Sequence, residues 1–405
     1  MAQIPFVHYG QLTKQRILHS VYLTKGMGRC YSDNVRATDC AHCAIPANCA
    51  NRANRTIRVN RAIRADHAHY RRKETLMTID DIARELNISK TTVSRAISGK
   101  GRISESTRGR VMAYINEINY RPSAIAQSLA TSRTMNIGFV MPDEPDIVDM
   151  PFFQTCLWGV TSMATRMDYD VFISMVNATD ISGLERLVEN HKVDGLLLGR
   201  TYTNDKAIAY LQEKQLPFVT IGSTSVEGVV QVDNNDRAGC TDLTSLLLLK
   251  GLKKLALVGG DSTYVVNNNR LNGFLDGYTR AGLTPDENLI HMNVNGMYMI
   301  EKTVHDLLDQ RVDCIIGMDD SICNSIMANL IKMNLSIPED IKVASFFNTS
   351  ILDHNKPSVT SLKFDVSKLG MTACERLFDL INGRPVKPVT LMNYEVLMKE
   401  STQVM

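Results

Sequence analysis

No apolar run in the 405-residue chain reaches the roughly 18 residues that a membrane span requires, which argues against a membrane-spanning helix. A disulfide framework is missing as well. Five of the nine Cys, namely Cys156, Cys240, Cys314, Cys323 and Cys374, stand singly in apolar stretches, as buried thiols of a cytoplasmic protein would. The closest pair, Cys40-Ala-His-Cys43 followed by Cys49, lacks the second C-x2-C that a structural zinc site needs. There is no G-x-S-x-G elbow, no P-loop and no H-E-x-x-H, and the nine His are spread without ligand spacing. Neither an enzyme nor a metal or cofactor is therefore expected. The N-terminus has neither the apolar core nor the small-residue cleavage site of a secretory signal, so the expected location is the cytoplasm. Repeats of 20–50 residues are also absent.

A chain of this length is too long for one core and points to two or three folding units. Its net charge of +2 looks bland but is unevenly distributed. Residues 1–76 carry 13 Lys/Arg against 4 Asp/Glu, residues 77–134 carry 9 against 5, and residues 135–405 carry 23 against 34. Two basic segments thus precede an acidic body, which suggests a polyanionic partner for the front of the chain.

The leader, 1–76, has no sustained helical or strand period. Arg52, Arg55, Arg58, Arg61 and Arg64 recur every third residue, a spacing that makes no clean helical face. It reads as a disordered leader, or as translated upstream sequence with Met77 the true start; the competing reading is a basic nucleic-acid arm. From Met77 the texture changes. Thr78 can cap a helix with Ile79, Ile82, Ala83 and Leu86 on one face, Asn87-Ile88-Ser89 breaks it, and Ser89 caps a second short helix. Ser104 then starts a third, with Val111, Ile115 and Ile118 inward. Two short helices across a tight turn, braced by a third, make a helix-turn-helix module over 77–121. Residues 122–134 follow as a short helical segment, too short to be stable alone, and a linker.

After residue 135 apolar strands at 136–141, 170–175, 194–199, 217–221, 254–258, 313–317 and 342–346 alternate with amphipathic helical stretches. Continuous apolar strands separated by helices predict an α/β fold with doubly wound parallel sheets, and 135–405 suits two such lobes.

The second helix, Ser89-Lys90-Thr91-Thr92-Val93-Ser94-Arg95, sets one buried-type residue among short hydroxyls and two cations. Hydroxyls and N–H groups at a helix start suit phosphate oxygens, and Lys and Arg reach guanine edges in the major groove. These residues, with Thr78-Ile79-Asp80-Asp81-Ile82-Ala83 and Asn119-Tyr120-Arg121-Pro122-Ser123-Ala124, resemble the lactose-repressor (LacI/GalR) family of bacterial transcription regulators. The resemblance runs from 77 to about 398, through Val232-Asp233-Asn234, Arg270-Leu271-Asn272-Gly273-Phe274 and Ile337-Pro338-Glu339-Asp340-Ile341. It implies that Lys90, Thr91 and Arg95 read bases. It also implies that Ser89, Thr92, Ser94, Ser98, Arg102, Ser104, Thr107 and Tyr120 position the protein on phosphates or flanking bases. Ser123 would open a hinge helix that folds on operator DNA, with Leu129 wedging into the minor groove. Asn87 stands where the family usually has Gly, and Asn satisfies the same turn.

For the body, the resemblance implies a two-lobed periplasmic-binding-protein-like fold with an effector in its cleft. Phe152 and Phe153 would lie near the pocket mouth, Arg270 would hold ligand hydroxyls or carboxylate, and Asp319 would hydrogen-bond ligand. Asp320 would cap or support the following helix, and Asp233 would be interlobe or structural. The largest departure is Phe346-Phe347-Asn348, where the family commonly has Asp at the second position; Phe347 removes an acceptor and adds an apolar face. The reading is a homodimeric, effector-responsive regulator, a repressor bound to double-stranded operator DNA and controlled by a sugar or related metabolite. No leucine heptads follow residue 397, so a dimer rather than a tetramer is expected. Two alternatives stay open: a sugar-binding protein for uptake, and a constitutive DNA-binding regulator without effector response. Deleting residues 1–76 should leave operator affinity unchanged in a gel-retardation titration, whereas a large loss would show the leader to be a basic arm.

Overall fold

The computed structural model describes residues 77–99, 101–118, 120, 133–144, 147 and 150–403. The leader with its Cys motif, and the segment 121–132 with Ser123 and Leu129, lie outside the described residues. The helical head, up to Tyr120, and the body form separate compact units.

Capping residues set the three helices of the head. The Thr78 hydroxyl accepts from the Asp81 amide at 3.3 Å and the Asp81 carboxylate accepts from the Thr78 amide at 2.9 Å, a reciprocal box that starts α1 (Ile79–Glu85). Asn87, at φ +50°, turns the chain, and Ser89 caps α2 (Lys90–Ser98), which ends at Gly99 with φ +69°. Ser104 caps α3 (Glu105–Glu117). None of these helices is long enough to persist alone. They hold because Ile82, Ala83, Val93, Ala96, Val111 and Ile115 close into one small core. Arg110 on α3 adds a tie, donating to the Leu86 carbonyl at 2.7 Å.

The body begins with β1 (Asn136–Pro142), α4 (Pro151–Arg166), β2 (Asp170–Val176), α5 (Ser182–Glu189), β3 (Gly195–Leu198), α6 (Lys206–Lys214), β4 (Phe218–Ile221) and β5 (Val230–Asn234). These form the first lobe. The chain crosses at Asn235 into α7 (Asp236–Leu249), β6 (Leu255–Val258), α8 (Val265–Arg280), β7 (Ile290–His291), α9 (Met297–Asp309), β8 (Cys314–Gly317), α10 (Asp320–Lys332), β9 (Lys342–Ser345) and β10 (Thr360–Phe364). It then returns to the first lobe through α11 (Val366–Ile381) and β11 (Val389–Met392). After Asn393 it ends on the second lobe with β12 (Tyr394–Leu397).

Each lobe holds a six-stranded sheet, ordered β11-β5-β4-β3-β1-β2 and β12-β10-β9-β8-β6-β7. All neighbours are parallel except β10 and β12. The α/β class with doubly wound parallel sheets is therefore observed. In both sheets the first strand in the chain sits inside, with the next two strands on opposite sides. That reversal opens a crevice at the carboxyl ends of β1 and β6, where ligands of such folds bind. Among the described residues no helix is long and apolar enough to cross a membrane.

The strands the sequence reading omitted are β5, β7, β10, β11 and β12. The pattern of β5, Val-Gln-Val-Asp-Asn, and of β10, Thr-Ser-Leu-Lys-Phe, carries too many polar residues to register as an apolar run. All of these polar side chains but Lys363 are nonetheless buried: Gln231 spends its amide on the Thr224 backbone, and the Thr360 hydroxyl meets that of Thr402 at 2.6 Å. β7 is two residues long, and β11 and β12 are split by one residue that sends them to different sheets.

Glycines let two helix pairs approach backbone to backbone. A Cβ on Gly159 of α4 would collide with the Ser367 carbonyl, and one on Gly370 of α11 with the Cys156 carbonyl. Gly273 and Gly277 of α8 face Arg237, Cys240 and Thr244 of α7 in the same way, with 2.5 Å between the added atom and the Arg237 oxygen. Because the obstacle is backbone, relief requires moving a whole helix. Gly159→Ala should lower the stability of the body by about 1–3 kcal/mol, read as a shift in urea midpoint with unchanged slope; an unshifted midpoint would show that α4 and α11 are not in such close contact.

Candidate functional site

Two places collect the residues singled out by the sequence. The first is α2 of the head. Val93 and Ala96 point inward and are buried, which turns Lys90, Thr91, Arg95 and Ser98 outward, while Thr92 and Ser94 are half-buried. Ser89, Arg102 and Ser104 are exposed, and Thr107 and Tyr120 half-buried. Some of these groups have duties within the head. The Ser89 hydroxyl caps α2 and lies 2.8 Å from that of Thr92, and Ser104 and Thr107 repeat the arrangement at 2.7 Å. The Lys90 ammonium meets Asp80 at 2.9 Å, with both side chains more than half exposed. An ion pair so open to water contributes about 0–1 kcal/mol and is easily exchanged for a phosphate or a base edge.

The second place is a cavity of about 570 Å³ between the lobes. It lies at the carboxyl ends of the strands, reached by Glu144 after β1, Arg200 after β3, Asp233 and Asn234 at the end of β5, Asp261 after β6, Asp319 after β8 and Phe347 after β9. All five residues expected at an effector site, Phe152, Phe153, Arg270, Asp319 and Phe347, line it. Phe152 contacts Phe153 and Phe347 edge-on, with ring centres 5.0 and 5.9 Å apart, and Phe347 stacks on Phe364 at 5.7 Å. Phe347 is 3% exposed and belongs to the core as well as to the cavity wall.

Arg270 is the fixed point of the site. Its Nε donates to Asp236 Oδ1 at 2.8 Å and its Nη1 to the Met318 carbonyl at 3.0 Å, and its guanidinium lies 5.2 Å from the Phe347 ring centre. Both partners of the ion pair are buried. The sequence reading had Asp320 cap or support the following helix and Asp319 contact ligand. The structure gives the cap to Asp319 and leaves Asp320 the supporting place. Asp319 is the N-cap of α10, accepting from the Ile322 amide at 2.8 Å, and Asp320 is the buried first residue of the helix, accepting from the Thr349 hydroxyl and the Ser321 amide.

Sequence reasoning missed a clasp across the mouth. Arg200 Nη1 donates to both Glu144 oxygens, at 2.7 and 2.6 Å, and its guanidinium lies 4.2 Å from the Tyr264 ring centre and 5.2 Å from that of Phe153. Tyr264, from the opposite lobe, donates its hydroxyl to Glu144 at 2.5 Å. Backbone bonds from Thr203 to Thr263 and from Val265 to Thr201 flank it at 2.9 and 3.2 Å. Glu144, Arg200 and Tyr264 are more than fifty positions apart in pairs, and no motif in the chain joins them.

Asp233 is buried on the wall of this cavity. Burial and the neighbouring Asp236 charge push its carboxyl up to about 7, although hydrogen bonds from Ser223 and the Asn234 amide oppose the shift. Burial also raises Asp320, against the bond from Thr349. Asn234, 5% exposed, leaves its Oδ1 without a hydrogen-bond partner on the same wall.

A helix-turn-helix head followed by a two-lobed body with a ligand-sized cleft joins a DNA-binding module to a small-molecule-binding one. Residues 78–123 match the model for bacterial regulatory proteins of the lacI family, and residues 244–402 that for a periplasmic binding protein-like domain. The HTH-type transcriptional regulator MalR of Streptococcus pneumoniae serotype 4 is 28% identical over 316 residues, covering 76% of this chain and 93% of that one. The solved lac repressor dimer bound to operator and the anti-inducer ONPF shares the fold at 21% identity and a TM-score of 0.68, covering 81% of this chain and 99% of that one. A complex of the transcriptional regulator CelR with cellobiose does so at 24% identity and a TM-score of 0.60, covering 80% and 99%. The chain therefore carries a lacI-family DNA-binding domain and a periplasmic-binding-protein-like domain, and over three quarters of its length it is similar to HTH-type transcriptional regulators.

The raised Asp233 carboxyl has a measurable consequence. The folded state holds a proton there between the ordinary value of 3.8 and about 7, so stability is highest below that window and falls as pH rises through it. Asp233→Asn should therefore raise the melting temperature relative to the parent at about pH 8 and leave it nearly unchanged near pH 4, the two ends of that linkage window. Equal shifts at both pH values would show that the charge on Asp233 does not oppose folding.

Proposed function

We propose that the protein is a homodimeric repressor that grips a pseudo-palindromic operator through two heads and releases or tightens it when a small metabolite of sugar size occupies the interlobe cavity. The observation that carries this reading is the outward face of α2, where Lys90, Thr91 and Arg95 stand exposed on a helix that Val93 and Ala96 anchor. In that role these three residues read base edges. Ser89, Thr92, Ser94, Ser98, Arg102, Ser104, Thr107 and Tyr120 set the head on phosphates and flanking bases, and the caps at Ser89 and Ser104 aim helix N-termini at the backbone. Ser123 and Leu129 would supply the hinge and its minor-groove wedge, within a division into a leader (1–76), a head (77–121), a hinge and linker (122–134) and an effector body (135–405).

The dimer is supported by large apolar side chains left exposed on both lobes. Trp158 is 75% exposed and, with Phe172, Ile173 and Met175 of β2, gives the first lobe an apolar surface; Met297 and Tyr298 of α9 do so for the second. A second copy related by a two-fold axis would cover such surface, and the same axis would set two heads on the halves of an operator. The acidic body would be repelled by DNA, which confines contact to the heads and hinges. Phe152, Phe153, Arg270, Asp319 and Phe347 would contact the effector. Because one closure links cavity and heads, effector and operator affinities must change each other by the same factor. The regulator would act on chromosomal DNA in the cytoplasm, without catalytic turnover.

The test is footprinting of the protein on the region upstream of its own gene. Protection of a two-fold site is expected. Arg95→Ala should lose about 1–3 kcal/mol with relaxed discrimination at one base pair per half-site. Leu129→Ala should weaken operator binding without changing the dimer. The absence of any protected site would sink the regulator function.

A further inference from the structure

The chain enters the body through a strained residue. Met135 takes φ +56°, a left-handed conformation that side chains other than Gly and Asn rarely adopt. A residue held this way persists only where its surroundings over-determine it, and such residues cluster at functional sites. Here one carboxylate does most of the holding. Asp194 accepts from the Thr134 amide at 2.7 Å, the Thr134 hydroxyl at 2.8 Å and the Met135 amide at 3.1 Å. Its own amide donates back to the Asn136 carbonyl at 2.8 Å. One residue earlier, Arg133 Nη2 donates to the Ile381 carbonyl at 3.2 Å and to Asn382 Oδ1 at 3.0 Å, at the C-terminus of α11. A cation at that end of a helix meets unpaired carbonyls and the negative end of the dipole. The buried Tyr169 ring lies edge-on to Phe378 of α11 at 4.8 Å and feels both charged groups. Burial and then the Asp194 charge raise its phenol, and Arg133 opposes them.

Three elements run from this knot to the cavity. β1 starts at Asn136 and is followed by Glu144, and β3 starts directly after Asp194 and is followed by Arg200. α11 ends at Ile381 and turns Leu369 to the cavity wall, about 18 Å back along its axis. β1 and β3 are parallel neighbours, and at the cavity end the Arg200–Glu144 ion pair joins them again. The root of the DNA-binding end and the cavity thus occupy opposite ends of the same three elements, all in the first lobe.

We propose that Arg133 and Asp194 clamp the DNA-binding end to the first lobe, and that operator affinity depends on this clamp although neither residue touches DNA. Both are positioning residues. With 133–135 fixed, the chain before them starts from one place in one direction. Once freed, that start has to be ordered again each time operator binds, and the lost entropy is subtracted from affinity. The clamp also makes the first lobe the one whose displacement reaches the DNA-binding end. The inference rests on the operator-binding role proposed above.

Fluorescence-anisotropy titration of the full chain tests the clamp with two labelled probes: a duplex that the parent protein selects from a random-sequence library, and its scrambled counterpart. Arg133→Ala and Asp194→Ala should each weaken binding to the selected duplex about tenfold or more, a difference of about 1.4 kcal/mol, and leave the scrambled duplex within twofold. Asp194→Asn keeps an acceptor for Thr134 and should fall between the parent and Asp194→Ala. Val343→Ala, in the core of the second lobe, is the comparison for lost stability. It should lower the urea midpoint and leave both probes within twofold. Parent-like affinity for the selected duplex in either Arg133→Ala or Asp194→Ala would overturn the proposal. So would an equal loss on both probes, since the heads would then be damaged, or an equal loss in Val343→Ala, since the clamp would then act through stability alone. A parent that selects no sequence would remove the operator role and the clamp with it. A parent that selects one, while the alanine variants bind it normally, removes the clamp alone.

Discussion

The buried pair of Arg270 and Asp236 is the interaction on which the body depends. Asp236 opens α7 directly after the chain leaves the first lobe, and Arg270 lies on α8, the helix packed against it through Gly273 and Gly277. The same guanidinium takes the Met318 carbonyl at the end of β8 and covers Phe347 at the end of β9. One side chain thus joins a lobe crossing, a helix pair and two strand ends. Removing one partner of such a pair leaves a charge stranded in the core, which typically costs about 3–5 kcal/mol.

From that fixed point the rest of the cleft follows. Arg270 serves Asp236 and lends its charge to Asp319 and Asp320, and Arg200 closes on Glu144, so two guanidinium groups hold the acidic side of the cleft together. The lobes meet through Tyr264, Glu144 and Arg200 at the mouth, and through Asn269 and Ser223, 2.6 Å apart. These contacts are where the energy of ligand binding would be exchanged for a change of lobe angle, since a ligand moves an equilibrium only by its differential affinity for the two states.

Much of this was legible beforehand. The three caps of the head and its inward residues follow from local chemistry, because a Ser or Thr before a helix satisfies orphan amides whatever surrounds it. The apolar strands of the two sheet centres were equally plain, since burial on both faces demands an unbroken apolar run. β5 and β10 were not, because buried Gln231, Asp233, Thr360 and Ser361 break the apolar run, and their partners, from Val359 and Thr224 nearby to Thr402 far along the chain, follow no local pattern. Asp319 and Asp320 show the same limit at finer grain. Adjacent carboxylates look alike in sequence, and which of them caps α10 depends on the chain's path out of β8 and on Thr349 from another loop.

The sequence by itself therefore determined a head of three short helices with a basic reading face, an acidic α/β body, and the identity of five side chains that share one cavity. The head and the body rest on periodicity, capping and composition, which act over a few residues at a time, and the five side chains on the resemblance to the lactose-repressor family. Only the tertiary structure decided what each charge in the cavity is free to do. Whether Arg270 or Arg200 can meet a ligand depends on Asp236 and Glu144, 34 and 56 residues away, and on how closely helices without side chains at Gly159, Gly273 and Gly277 bring their backbones together. Hydrogen bonds and ion pairs are settled within a few ångströms, and such proximity between distant residues exists only once the chain has folded.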